Sequence, residues 1–136
     1  MRTRTSGSRR CRIVAGQMPR VLIADDDPVM RMLLSAVVNS EPGLELVGAA
    51  EDATQAIELA EQLTPDVVLL DVEMPGGGGP HAAREIKQRV PGTRVLALSG
   101  HVRGEHREAM EAAGADGYVV KGAPPAEIAQ ALRGGE

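Results

Sequence analysis

Five polar residues stand where predicted strands end, and together they could bind a metal ion and a phosphoryl group. They are Asp25, Asp26, Asp71, Ser99 and Lys121. Carboxylates that lie a few ångströms apart repel one another strongly, and a hard divalent cation with oxygen ligands relieves that repulsion. Mg²⁺ favours a site that phosphate oxygens complete. Since three carboxylates, one Mg²⁺ and one lysine sum to zero charge, such a site could accept an anionic phosphoryl group.

Each of these residues also has an ordinary structural explanation. Aspartates cap helices, serines begin turns, and lysines keep strand ends in contact with water. Asp71 ends an unbroken apolar run and is followed by Pro75 and four glycines. Taken alone, it is more often a solvated strand end than a functional residue. What favours a site is that parallel strands present their carboxyl ends at one edge of a sheet, where ligands bind.

The elements that must position these residues alternate between strands and helices. Buried apolar runs bounded by turn signals predict strands over 21–24, 44–50, 67–71, 95–98 and 117–121. Helices are predicted from Pro28 with Asp27 as N-cap, after Asp52, from about Pro80, over 103–113, and from Pro124-Pro125. This alternation predicts an α/β fold with a doubly wound, five-stranded parallel sheet in the flavodoxin-like order 2-1-3-4-5 between two helical layers. The first helix is expected to present an apolar face of Leu33, Leu34, Val37 and Val38.

Composition and charge narrow the class of protein. A chain of 136 residues with 43% hydrophobic and 25% charged residues is typical of one globular domain, and no apolar run is long enough for a membrane span or a signal peptide. The single cysteine, Cys11, cannot form an internal disulfide, which favours a cytoplasmic location.

Residues 1–17 are rich in arginine, serine and glycine, and we predict a disordered basic extension there, followed by one domain over residues 18–136. The first 19 residues hold five arginines and no acid while the whole chain has a charge of −4, which leaves the remainder at about −9. An acidic body does not suggest a nucleic-acid surface.

Four stretches of the chain, in order, resemble the receiver domain of two-component response regulators over residues 20–133. They are 21–28 (VLIADDDP), 70–76 (LDVEMPG), 98–100 (LSG) and 113–121 (AGADGYVVK). Most receivers follow the lysine with proline, whereas Gly122 stands here. In this respect the chain is most similar to receivers of regulators that carry a LuxR-type helix-turn-helix.

The resemblance implies roles for the strand-end residues. Asp71 would be the phosphoacceptor, attacking a phosphohistidine of a partner to form an acyl phosphate. The implied ligands of Mg²⁺ are Asp25, Asp26, Asp71 and the backbone carbonyl of Glu73. Ser99 and Lys121 would bind phosphoryl oxygens.

The resemblance also implies a switch and two tuning positions. Tyr118 is the only aromatic residue in the chain, and in receivers this position acts with that of Ser99: the hydroxyl moves toward the phosphoryl group and the ring turns inward. The alternative is a half-buried strand tyrosine. Glu73 and His101, two residues after Asp71 and Ser99, occupy the positions that tune dephosphorylation in the family.

Partners and alternatives follow from these roles. We expect a histidine kinase or a phosphotransfer protein as partner and homodimerisation on phosphorylation, with no direct contact to nucleic acid or membrane. The chain would be a phosphoacceptor with at most slow self-dephosphorylation, not an enzyme. Whether it is a stand-alone receiver or the front of a DNA-binding regulator is left open. The rival functions are a haloacid-dehalogenase-like phosphatase with Asp25 as nucleophile, which matches Asp25-x-Asp27 after a strand, and an interaction module that has lost phosphorylation.

Overall fold

The computed structural model of the chain describes residues 18–100 and 104–134. The predicted basic extension over residues 1–17 and the predicted tuning residue His101 lie outside the described residues.

Five parallel strands form one sheet. They are β1 (Arg20–Ala24), β2 (Glu45–Ala50), β3 (Val67–Asp71), β4 (Arg94–Ser99) and β5 (Gly117–Val120). The strand order is β2-β1-β3-β4-β5, and every neighbouring pair is parallel. The predicted fold class and strand order are therefore confirmed, and the carboxyl ends of β1, β3 and β4 lie side by side.

In the described part of the chain, four helices connect the strands and a fifth follows β5. They are α1 (Pro28–Ser40), α2 (Ala53–Leu63), α3 (Gly78–Arg89), α4 (Gly104–Ala112) and α5 (Pro125–Leu132). The side chain of Asp27 caps α1 by accepting from the amide of Val29, and Asp52 caps α2 by accepting from that of Gln55, because short carboxylates satisfy the unpaired amides of a first turn. None of the helices in the described ranges has the length and apolar character needed to cross a lipid bilayer.

The helices cover both faces of the sheet. Side chains of α2, α3 and α4 pack on one face in a cluster that includes Leu22, Leu70 and Met110. Side chains of α1 and α5 pack on the other face in a cluster that includes Ile23 and Leu69. Because every residue of β3 is buried, Asp71 is held at the end of a strand that is covered on both sides.

One core prediction is wrong. On α1, Leu34 and Val38 are buried and Val37 packs partly against the core, but Leu33 is 53% exposed. Consecutive residues point about 100° apart around a helix axis. Because Leu34 faces the sheet, Leu33 faces solvent.

Candidate functional site

Three carboxylates meet at the carboxyl edge of the sheet. Asp25, Asp26 and Asp71 each offer an oxygen, and these atoms lie within 4.8 Å of one another. Asp25 and Asp71 are buried, while Asp26 faces solvent. The structure thus brings the three predicted metal ligands together, with one of them accessible to an arriving ion. Oxygen-only donors of this kind suit Mg²⁺.

Asp25 is fixed in place by three hydrogen bonds, one with β2 and two with the start of α1. Its amide donates to the carbonyl of Ala50 at the end of β2 (3.1 Å), and its Oδ1 accepts from the amide of Asp27 (2.9 Å). Its own carbonyl accepts from the guanidinium of Arg31 on α1 (2.8 Å). These contacts leave Oδ2 of Asp25 directed toward Lys121.

Lys121 bridges the two buried carboxylates. Its Nζ lies 3.2 Å from Oδ2 of Asp25 and 3.4 Å from Oδ2 of Asp71. Its amide donates to the carbonyl of Ser99 (2.8 Å), which ties the end of β5 to the end of β4. Burial lowers the pKa of Lys121, but Asp71 and Asp25 outweigh that effect and raise its pKa above the usual 10.5. Lys121 is therefore a cation throughout the neutral range.

The acceptor candidate itself has an altered acidity. Burial raises the pKa of Asp71 from 3.8 to about 6, and the neighbouring Asp25 adds to the increase, although Lys121 and the amide of Glu73 oppose it. That amide donates to Oδ1 of Asp71 at 3.3 Å. Because desolvation penalises the charged form, Asp71 without a metal carries a proton part of the time near pH 6. A cation beside it would favour the ionised form, which is the nucleophile.

The loop that follows Asp71 is held by backbone contacts. The amide of Gly79 donates to the carbonyl of Val72 (2.8 Å), and the carbonyl of Pro75 accepts from the amide of Ala53 at the start of α2 (2.9 Å). A Cβ atom at Gly79 would lie 2.5 Å from the carbonyl oxygen of Asp71, so the close approach of α3 to β3 requires glycine. Gly79 thus has a structural role beside the site.

The predicted switch residues lie on one face of the sheet. Ser99 is buried at the end of β4, one position beyond Leu98, which pairs with Asp71. Strand alternation places its side chain on the same face as that of Ala97. Tyr118 pairs with Ala97 across β4 and β5 and packs, half-buried, against the cluster on that face. Ser99 therefore lies one position beyond the strand partner of Asp71, and Tyr118 lies farther back along the neighbouring strand.

Three residues near the site were not singled out from the sequence. Arg31 holds the carbonyl of Asp25. On α4, Nε2 of His106 lies 3.5 Å from a carboxylate oxygen of Glu73, and the guanidinium of Arg107 lies over the ring of Tyr118. Glu73 itself is an exposed residue at the rim, with its side chain 75% exposed. No motif in the sequence predicts these contacts, since each joins a residue of a helix to a residue outside that helix.

Comparisons with known proteins agree on one family. A family model for the response regulator receiver domain matches residues 21–133. The response regulator GacA of Pseudomonas viridiflava is 38% identical over 116 residues, which are 85% of this chain and 54% of that protein. A LuxR-family two-component response regulator from Aurantimonas sp. SI85-9A1 has a TM-score of 0.80 at 34% identity, covering 88% of this chain and 89% of its own. The signal receiver domain of a NarL response regulator from Mycobacterium tuberculosis has a TM-score of 0.82 at 32% identity, covering 87% and 95%.

The comparisons also bear on the length of the relatives and on the phosphatase alternative. The chain spans about half the length of the curated relatives it matches. The phosphatase alternative, with Asp25 as nucleophile, is not supported by them. In the structure Asp25 is fully buried, and its side chain is held by the amide of Asp27 and by Lys121.

Proposed function

The chain belongs to the response regulator receiver domain family of two-component signalling, and on that premise we propose that Asp71 accepts a phosphoryl group from a phosphohistidine. The observation that carries the proposal is the position of its carboxylate, which is buried at the sheet edge 3.4 Å from the ammonium of Lys121. Two further carboxylates stand beside it within metal-binding distance of one another.

Mg²⁺ is the metal that this donor set fits. Its ligands would be the carboxylates of Asp25, Asp26 and Asp71 and the backbone carbonyl of Glu73. When bound, Mg²⁺ neutralises charge on the carboxylates and on the phosphoryl oxygens. Asp25 supplies a ligand whose position is fixed before the ion arrives, because its amide, its carbonyl and Oδ1 are all hydrogen-bonded.

The transfer step uses groups that the fold holds in place. A carboxylate oxygen of Asp71 attacks the phosphorus, a P–O bond forms, the P–N bond to the histidine breaks, and the imidazole leaves with the bond's electron pair and takes up a proton. Lys121 shares its charge between Asp25 and Asp71 before transfer and would turn to a phosphoryl oxygen afterwards. Ser99 would contact another phosphoryl oxygen. Positioning and charge neutralisation are what phosphoryl transfer demands of a protein.

The partners and the output of the chain are also part of the proposal. The phosphodonor would be a histidine kinase or a phosphotransfer protein, and the phosphorylated chain would form a homodimer. Because the curated relatives are about twice as long as the matched region, the chain could serve as the receiver part of a DNA-binding regulator. The tuning of dephosphorylation by Glu73 and His101, the absence of enzymatic turnover, and the cytoplasmic location stay predictions.

Labelling with a small acyl-phosphate donor tests the proposal. In the presence of Mg²⁺, intact-mass measurement should show one phosphoryl group on the wild type and none on Asp71→Asn, and the label should be lost in hydroxylamine, which cleaves acyl phosphates. Asp52→Asn is the matched control because asparagine caps α2 as well as aspartate does, and it should label like the wild type. If Asp71→Asn took up label at the wild-type stoichiometry, Asp71 would not be the acceptor.

A further inference from the structure

Arg107 on α4 makes an unusual contact with the only aromatic ring of the chain. The central carbon of its guanidinium lies 4.9 Å from the centroid of the Tyr118 ring. At this distance a cation is attracted to the electron-rich face of an aromatic ring. The contact joins α4 to β5, the strand at the edge of the sheet.

Packing of the core does not explain this arginine. Its side chain is 52% exposed, and its ion pair with Glu111 (3.7 Å) lies within the same helix. An apolar residue would cover the ring of Tyr118 equally well. What arginine adds is an attraction to the ring face that depends on where the ring stands.

The surroundings leave the ring room to move. A cavity of about 170 Å³ opens beside it, lined by Arg107, Met110, Gly117 and Tyr118 among others. Tyr118 is thus a half-buried ring with one face against Arg107 and open volume next to it.

The same turn of α4 also reaches the rim of the acceptor site. His106, the residue before Arg107, has its Nε2 3.5 Å from a carboxylate oxygen of Glu73. Glu73 in turn donates its amide to Oδ1 of Asp71. The residues of one helical turn therefore connect the loop of the acceptor with the ring of Tyr118.

We propose that Arg107 is a positioning residue for Tyr118, which holds the ring in its outer position by the cation–π contact and releases it when the first turn of α4 shifts after phosphorylation of Asp71. The inference rests on the proposed function for the identity of the signal, but the holding contact is a property of the unmodified protein. Arg107 would thus act together with the switch pair of Ser99 and Tyr118 and determine how readily the ring moves.

The emission of Tyr118 tests the proposal, because no other tyrosine and no tryptophan contributes. The variants are Arg107→Met, which keeps an unbranched apolar stem, and Arg107→Lys, which keeps a cation. Arg84→Met, at an exposed arginine on α3, removes one positive charge elsewhere and is the matched control. Acrylamide quenching is measured without ligand and then during titration with beryllofluoride, a phosphoryl mimic, in Mg²⁺.

The largest changes are expected in Arg107→Met. In the absence of ligand, its quenching should differ from that of the wild type and resemble that of the ligand-bound wild type. Its affinity for beryllofluoride should rise about two- to fivefold, which is the fold-change that corresponds to an exposed cation–π contact. Arg107→Lys should fall between the two, and Arg84→Met should match the wild type.

Other outcomes would overturn the proposal or separate it from the function of the site. Quenching and affinity of Arg107→Met equal to those of the wild type would exclude a holding role, as would equal effects of Arg84→Met. If the wild type bound no beryllofluoride, the proposed function would fail, yet the quenching measured without ligand would still decide whether Arg107 holds the ring.

Discussion

Replacing Asp71 by asparagine should make the metal-free protein more stable at neutral pH, although it removes the proposed phosphoacceptor. Burial, together with Asp25, raises the pKa of Asp71 from 3.8 to about 6. The folded state therefore binds the proton of this carboxyl more tightly than the unfolded state does. The stability that Asp71 contributes is fully present below about pH 4 and is lost as the pH rises through about 6.

The size of the effect follows from the pKa. One pKa unit corresponds to about 1.4 kcal/mol, so that ionised Asp71 lowers the free energy of unfolding by about 3 kcal/mol above pH 6. Asparagine keeps the shape of the side chain and removes this penalty, and the attraction of Lys121 is already included in the raised pKa. We expect Asp71→Asn to be about 2–3 kcal/mol more stable than the wild type at pH 7.5 and nearly equal to it at pH 4.

Urea denaturation followed by circular dichroism, at several pH values between 4 and 7.5, measures this difference. The experiment needs a chelator, because a bound divalent cation would offset the penalty in the wild type. Asp26→Asn is the matched control, since Asp26 is exposed, and it should change the stability by less than about 0.5 kcal/mol. The reasoning would be refuted if Asp71→Asn were less stable than the wild type at pH 7.5, or if its advantage were the same at pH 4.

Three further predictions concern the same edge of the sheet. Mg²⁺ at pH 6 should raise the thermal midpoint of the wild type and release protons from Asp71, seen by calorimetry in two buffers, and Asp25→Asn should lose both effects. Lys121→Met should lower the free energy of unfolding by about 2–4 kcal/mol at pH 7.5, because two buried carboxylates lose their cation; equal stability in urea would contradict the bridging role. Gly79→Ala should lower it by about 1–3 kcal/mol, since the new Cβ would meet the carbonyl of Asp71, whereas Gly92→Ala, with nothing within 4 Å, should be nearly neutral in the same assay.

The fold could be predicted from the sequence because its signals are local. Buried strands appear as short unbroken apolar runs between turn residues, and Asp27 and Asp52 cap the helices at which they were predicted. The one wrong core residue, Leu33, shows the limit of such signals. An apolar residue on a helix can lie inside or at the boundary of the buried face, and only the orientation of α1 on the sheet decides which.

The site could be predicted in part for a topological reason. Because the carboxyl ends of parallel strands share one edge, residues such as Asp25, Asp71 and Lys121 could be assigned to one place before any distance was known. Arg31, His106 and Arg107 could not. Each contacts a residue outside its own helix, and an exposed or half-exposed basic residue on a helix has no sequence pattern that separates such a contact from ordinary solvation.

The raised pKa of Asp71 depends on the residue type, which the sequence shows, and on burial, which only the folded structure shows. An aspartate at a strand end is an ordinary acid in the sequence, and its raised pKa exists only because β3 is buried on both faces and Asp25 lies beside it. The metal-free protein therefore holds a carboxylate at the expense of its own stability, with Lys121 relieving part of the repulsion. A divalent cation and a phosphoryl group would bring the positive charge and the oxygen contacts that this edge lacks, so that ligand binding, phosphorylation and stability should change together. The same burial that makes ionised Asp71 unfavourable would thus make the domain responsive to phosphorylation of Asp71.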